Sequence, residues 1–172
     1  MAQAREVEVG KDCRVGTATD PVEEIEAAIL LLMRRANDPR GNERIKQLAG
    51  TDLERAGAVM LARVEELEPA RLSDLAAAAG VELSTASRQV ARLVDQGYVA
   101  REVDPTDARA SRHRLTDSGR DLRSRLKQAV RSWFELVLAD FADDERQALG
   151  ALLTRLVGGM AELSESPADE PG

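Results

Sequence analysis

The chain has 172 residues, with 43% hydrophobic but only 2% aromatic side chains, so its core must come from Leu, Val, Ile and Ala, a helix-favouring set. A net charge of −7 excludes a uniformly basic surface, and no apolar run approaches the roughly 20 residues of a membrane-spanning helix. The single cysteine, Cys13, excludes an internal disulfide, and the apolar core of an export signal is missing, so the cytosol is expected.

Residues 1–19 are polar and aperiodic and read as a disordered arm. Asp20-Pro21-Val22-Glu23 reads as a capped helix start, and Val22, Ile25, Ile29, Leu32, Met33 and Ala36 follow at helical period. Asn37 to Gly41 breaks this helix, and a second piece spans Glu43 to Ala49. Gly50 closes it, Thr51 is the expected cap of the next helix, and Leu53, Ala56, Met60, Val64 and Leu67 its expected buried face. Pro69 ends that helix, and Arg71-Leu72 reads as a short edge strand. Ser73 is expected to cap a short helix, Asp74 to Ala79, closed by Gly80.

The next helix, Ser84 to Gln96, has a poor cap in Glu82 or Leu83, buries Val90, Leu93 and Val94, and ends at Gly97. Tyr98–Val103 and Ala110–Leu115 are strand-like, joined by the turn residues Asp104-Pro105-Thr106-Asp107. Thr116 caps a long helix to about Asp140, carrying Leu122, Leu126, Val130, Trp133, Phe134 and Val137. A last helix, Asp144 to Leu163, carries Leu149, Leu152, Leu153, Leu156, Val157 and Met160, and residues 164–172 read as a disordered tail.

These elements imply a mainly α fold with a small β wing: a winged helix-turn-helix over residues 51–116, and a helical dimerisation region from 20–50 and 117–163. An amphipathic helix must bury its apolar stripe, and a second copy is the simplest cover. Val22, Ile25, Ile29, Leu149, Leu152, Leu153 and Leu156 are the expected dimer contacts.

The acid is unevenly spread. From Ser84 to Arg114, six arginines face four acids, a local net of +2. Ser84, Thr85, Ser87, Arg88, Gln89 and Arg92 crowd one helix; short hydroxyls let its backbone approach base edges, Gln suits adenine and Arg suits guanine. Ser73 and nearby helix amides suit phosphate. Arg109 at the hairpin tip suits a narrow minor groove, with Asp107 orienting it and Ser111 and Arg112 beside it. His113 alternates with Arg112 and Arg114, which suggests an exposed strand position or a phosphate contact. One His and one Cys make no zinc site, and with no phosphate-binding Gly loop or nucleophile elbow, neither an enzyme nor a cofactor is expected.

The run Leu83-Ser84-Thr85-Ala86-Ser87-Arg88-Gln89-Val90, then Arg92-Leu93, Gln96-Gly97-Tyr98-Val99, Asp107-x-Arg109 and Leu115-Thr116-x-x-Gly119, resembles the multiple-antibiotic-resistance regulator (MarR) family. The likeness extends from about Pro21 to Leu163 and is densest from Leu72 to Gly119. It implies a homodimeric transcriptional regulator that binds a pseudo-palindromic double-stranded DNA operator, usually a repressor relieved by a small-molecule effector. It also implies Arg109 in the minor groove and Ser84 to Arg88 in the major groove. Effectors in the family often sit between the dimer helices and the winged helix, here near Arg34, Arg55, Met60 and Trp133; no particular effector residue follows. Two other readings use the same residues: a winged-helix module that docks protein, and a ligand or redox sensor with secondary DNA affinity. For redox sensing, Cys13 stands ahead of the first long helix and lacks accompanying tyrosines.

Overall fold

The computed structural model describes residues 20–36, 38–105 and 107–165; the side chains of residues 107–109 and 164–165 lie outside that description. The expected N-terminal arm with Cys13 and residues 166–172 of the expected tail also fall outside it, while residues 164 and 165 of that tail instead end the last helix. In order the elements are α1 (Pro21–Ala36), α2 (Pro39–Ala49), α3 (Arg55–Leu67), β1 (Ala70–Arg71), α4 (Leu72–Ala79) and α5 (Leu83–Asp95). They continue with β2 (Val99–Asp104), β3 (Asp107–Leu115), α6 (Asp117–Val137) and α7 (Asp143–Glu165). The chain falls into two units, residues 1–44 and residues 45–172.

In the first unit, Asp20 caps α1 by accepting from the Val22 amide at 2.9 Å. None of the residues of α1 is buried. The next helix starts four residues earlier than its sequence suggests. Asp38 accepts from the Arg40 amide at 3.1 Å, and Pro39 fills the first helical position, where an N–H has no partner to lose. The break between α1 and α2 is therefore shorter than the Asn37–Gly41 stretch implied.

The core of the second unit gathers Leu53, Met60, Leu61 and Val64 with Leu75, Ala76, Ala86, Val90, Leu93, Val99, Leu115, Leu122 and Leu126. Helix α3 begins at Arg55, later than expected, because the Thr51 hydroxyl accepts from Leu53 at 3.1 Å in a turn, while Glu54 pairs with Lys46 at 3.1 Å. Leu53 is buried but not helical, so a stripe counted from it drifts off phase. The buried stripe is Gly57, Met60, Leu61 and Val64, and Ala56 and Leu67 are exposed. From α6, Arg125 donates to the carbonyls of Ala49 and Gly50 at 2.6 and 3.1 Å, closing the end of α2.

The sheet has the order β1-β3-β2, antiparallel throughout. β1 lies one residue earlier than the sequence suggests, and α4 starts at Leu72, so Ser73 is inside the first turn rather than its cap. Helix α6 stops at Val137, ahead of the expected Asp140. Along α7, Leu149, Leu152, Leu153, Leu156, Val157 and Met160 are all exposed.

Candidate nucleic-acid interface

Helices α4 and α5 are joined through Gly80, whose amide donates to the Ala76 and Ala77 carbonyls and whose φ of 62° turns the chain back over the end of α4. The Val81 amide then closes on the Ala76 carbonyl at 3.1 Å. Ala86, Val90 and Leu93, spaced four and three apart, anchor α5 in the core. That phase turns Ser84, Ser87, Arg88 and Arg92 outward, with Thr85 and Gln89 half-buried at the margins. The Arg88 guanidinium leans back to the Thr85 hydroxyl at 3.3 Å. Glu82, the residue before the helix, makes no side-chain cap, as its chemistry predicts.

The base of the wing explains why Leu-Thr-x-x-Gly follows it. Leu115 is buried, and the Thr116 amide donates to the Tyr98 carbonyl at 3.0 Å. The Thr116 hydroxyl donates to the Gly97 carbonyl at 2.6 Å and accepts from the Gly119 amide at 3.1 Å. Gly119 packs so closely that a Cβ there would lie 2.0 Å from the Tyr98 oxygen. One threonine thus caps α6 and ties it to the turn after α5.

Beyond that base, the hairpin is laced by charge. Arg101 donates to the Ser111 hydroxyl at 2.7 Å, and Arg114 pairs with Glu102 at 2.6 Å. The side chain of Asp104 is 0% exposed, and its Oδ2 accepts from Arg71 Nε at 2.8 Å and Arg112 Nε at 2.9 Å. In the sequence Asp104 carries only a turn signal, beside Pro105. No strand alternation could reveal it, because the register shifts between Val103 and Asp104, exposing the first and turning the second inward.

Ser73 is exposed in the first turn of α4, its hydroxyl 3.2 Å from Asp74 Oδ1. Asp107 and Arg109 open β3 beyond the turn, and their side chains lie outside the description. Ser111 and Arg112 are half-buried and engaged within the hairpin. Val22 and Ile25 of α1 are exposed and Ile29 half-buried, while Leu149, Leu152, Leu153 and Leu156 are exposed on α7.

His113 corrects an expectation: it is only 7% exposed, because β3 has β1 on one side and β2 on the other and its register faces Ala70 and Arg101. Burial holds its pKa below the usual value, against a hydrogen bond to the Ala70 carbonyl that favours the proton, and with Arg101 adding to the depression. Among the described residues its Nδ1 has no hydrogen-bond partner. This ring lines an open groove of about 410 Å³ between α5 and the sheet, with Leu72, Ser87, Asp95, Arg101 and Ser111. Glu68, which carries no signal in the sequence, accepts from the Leu115 amide at 2.7 Å and pairs with Arg120. Burial pushes its carboxyl upward, but the Arg120 and Leu115 bonds outweigh this and hold it below the ordinary carboxylate value.

Residues 53–111 match the family model described as MarR family. YxaD of Bacillus subtilis (strain 168), an uncharacterised HTH-type transcriptional regulator, is 31% identical over 137 residues, covering 80% of this chain and 93% of its own length. The chain belongs to the MarR family. A MarR transcriptional regulator from Methanosarcina mazei Go1 shares 25% identity with a TM-score of 0.64, over 81% of this chain and 98% of its own. The apo form of wild-type MarR from E. coli has the same fold, with a TM-score of 0.64 at 23% identity over 76% of this chain and 95% of its own. As a MarR-type protein the chain is a DNA-binding transcriptional regulator with a winged helix, and its family is one of regulators rather than enzymes. Among the described residues no helix is long and apolar enough to cross a membrane.

Proposed function

We propose that the chain is a homodimeric cytosolic repressor of a pseudo-palindromic operator, relieved by a small-molecule effector. The observation that carries this is α5, anchored by Ala86, Val90 and Leu93, with Ser84, Ser87, Arg88 and Arg92 on its free face. In this reading those residues, with Thr85 and Gln89 at the margin, enter the major groove. Arg109, oriented by Asp107, enters the minor groove, and Ser73 meets phosphate.

Dimerisation is supported by the exposed apolar residues of α1 and, separately, of α7, where Leu152 is 55% and Val157 63% exposed. An exposed leucine row on a long helix is stable in water only when something covers it. Effector control is supported by the groove between α5 and the sheet, which touches both proposed DNA-reading elements.

Selecting bound fragments from a random duplex pool tests the central reading. The expected result is a palindrome with half-site centres about 10 base pairs apart. Affinity should also fall steeply with salt as counterions are released. An asymmetric site, or no enrichment at all, would overturn it. Release of the selected DNA by small molecules, read by anisotropy, tests the effector part.

A further inference from the structure

We propose that Asp104 is the positioning residue of the wing: its buried carboxylate holds Arg71 and Arg112 together and sets the angle at which the hairpin tip meets DNA. This rests on the proposal that the wing contacts DNA. It reassigns Arg112 from a minor-groove contact to an internal strut.

Among the described residues, the hairpin has few other means of fixing its direction. Its base is anchored by Val99 and Leu115 in the core. Beyond the base, Arg101, Glu102 and Val103 are exposed, and Val103 is 70% so. The strand that ties β3 to the helix-turn-helix, β1, pairs at only two positions, Ala70 with His113 and Arg71 with Arg112. Asp104 closes this gap. It is the last residue of β2, and it grips one arginine from β1 and one from β3 through a single oxygen. Arg71 directly precedes the first residue of α4, so the clamp runs from the hairpin to the start of the helix-turn-helix. The carboxylate itself is fully shielded from solvent and so is not placed to touch DNA. A desolvated ion cluster is costly to form relative to apolar packing, and a role in selecting one conformation accounts for its presence.

Footprinting of full-length protein on an operator selected with the wild type tests this. Hydroxyl radicals report minor-groove contact, and dimethyl sulfate at guanine N7 reports the major groove. Asp104→Asn keeps the shape and removes the charge. The expected result is loss of the minor-groove protection made by the wings, retention of major-groove protection, and a fall on the order of tenfold in operator affinity relative to random duplex. Both footprints unchanged from wild type overturn the proposal. If circular dichroism shows that Asp104→Asn fails to fold, Arg112→Gln, which leaves Asp104 bound to Arg71, is read in its place. For that variant, lost wing protection with an unchanged salt slope supports the clamp. Retained protection with a salt slope smaller by about one marks Arg112 as a phosphate contact and overturns it. A wild type with no minor-groove protection removes the wing reading itself, which separates the two failures.

Discussion

Replacing Gly119 with alanine tests how the wing base is tied to the long helix. A Cβ at this position lies 2.0 Å from the Tyr98 carbonyl oxygen and 3.0 Å from its carbon. Real Cβ contacts essentially never fall under 3.0 Å, so the carbonyl must retreat by about 1 Å, the difference between 2.0 and 3.0. It is not free to do so, because it accepts from Thr116 at 3.0 Å while the Tyr98 amide is held by Leu93 at 2.9 Å. Overpacking of this kind costs about 1–3 kcal/mol, and a weakened hydrogen bond adds about 1 kcal/mol. Alanine's helix preference returns at most about 1 kcal/mol. The net is a loss of about 1–3 kcal/mol, or a fall in Tm of roughly 2–12 °C for a chain of this size. Gly41 is the matched control. It is also the third residue of a helix, α2, and no heavy atom of the described residues lies within 4 Å of its Cβ position. Gly41→Ala should raise stability by up to about 1 kcal/mol. Denaturant titration of both variants reads the two signs. A Gly119→Ala protein as stable as wild type would refute the steric reasoning.

Leu93→Ala removes a side chain with no solvent exposure from the helix proposed to read DNA, and should cost about 2–5 kcal/mol by denaturant titration; a loss under about 1 kcal/mol would mean the site collapses around the gap. Two acid-side effects separate by pH. Glu68 has a folded pKa below its ordinary 4.5, so its contribution to stability is complete above that value and is lost as pH falls through the folded pKa. The urea midpoint of wild type should therefore drop more steeply below about pH 4.5 than that of Glu68→Gln, and parallel curves would contradict this. His113 also has a depressed folded pKa, so the unfolded chain takes up its proton first. Its effect sets in higher, with stability lost as pH falls below 6.5, and His113→Gln should lack that early decline.

The expected winged helix matches the mostly helical structure with its small antiparallel sheet, because its cues are local. Gly80 ends α4, Ala86, Val90 and Leu93 mark the inner face of α5, and Thr116 caps α6. Helix starts were less legible where two capping candidates compete. Thr51 and Ser73 both have cap chemistry, yet the first serves a turn and the second sits inside α4. A hydroxyl can satisfy several nearby amides, and packing further along the chain selects among them.

The candidate interface divides along the same line. Which face of α5 is free follows from period alone, since a helix that buries Ala86, Val90 and Leu93 must turn Ser84, Ser87, Arg88 and Arg92 outward. The wing does not follow from period. A one-residue register shift sends Asp104 inward, and three strands converge to surround His113. Two arginines that look alike in sequence, Arg88 and Arg112, end in different roles: the first on an open helix face, the second bound to a buried carboxylate. By itself the sequence determined which helices form, the inner face of α5 and the basic character of the central segment, all properties of residues within a few turns of one another. Only the tertiary structure decided the fates of Asp104, Glu68 and His113. Their environments are built from strands and helices far apart in the chain, and burial and pairing are properties of that meeting rather than of any local pattern.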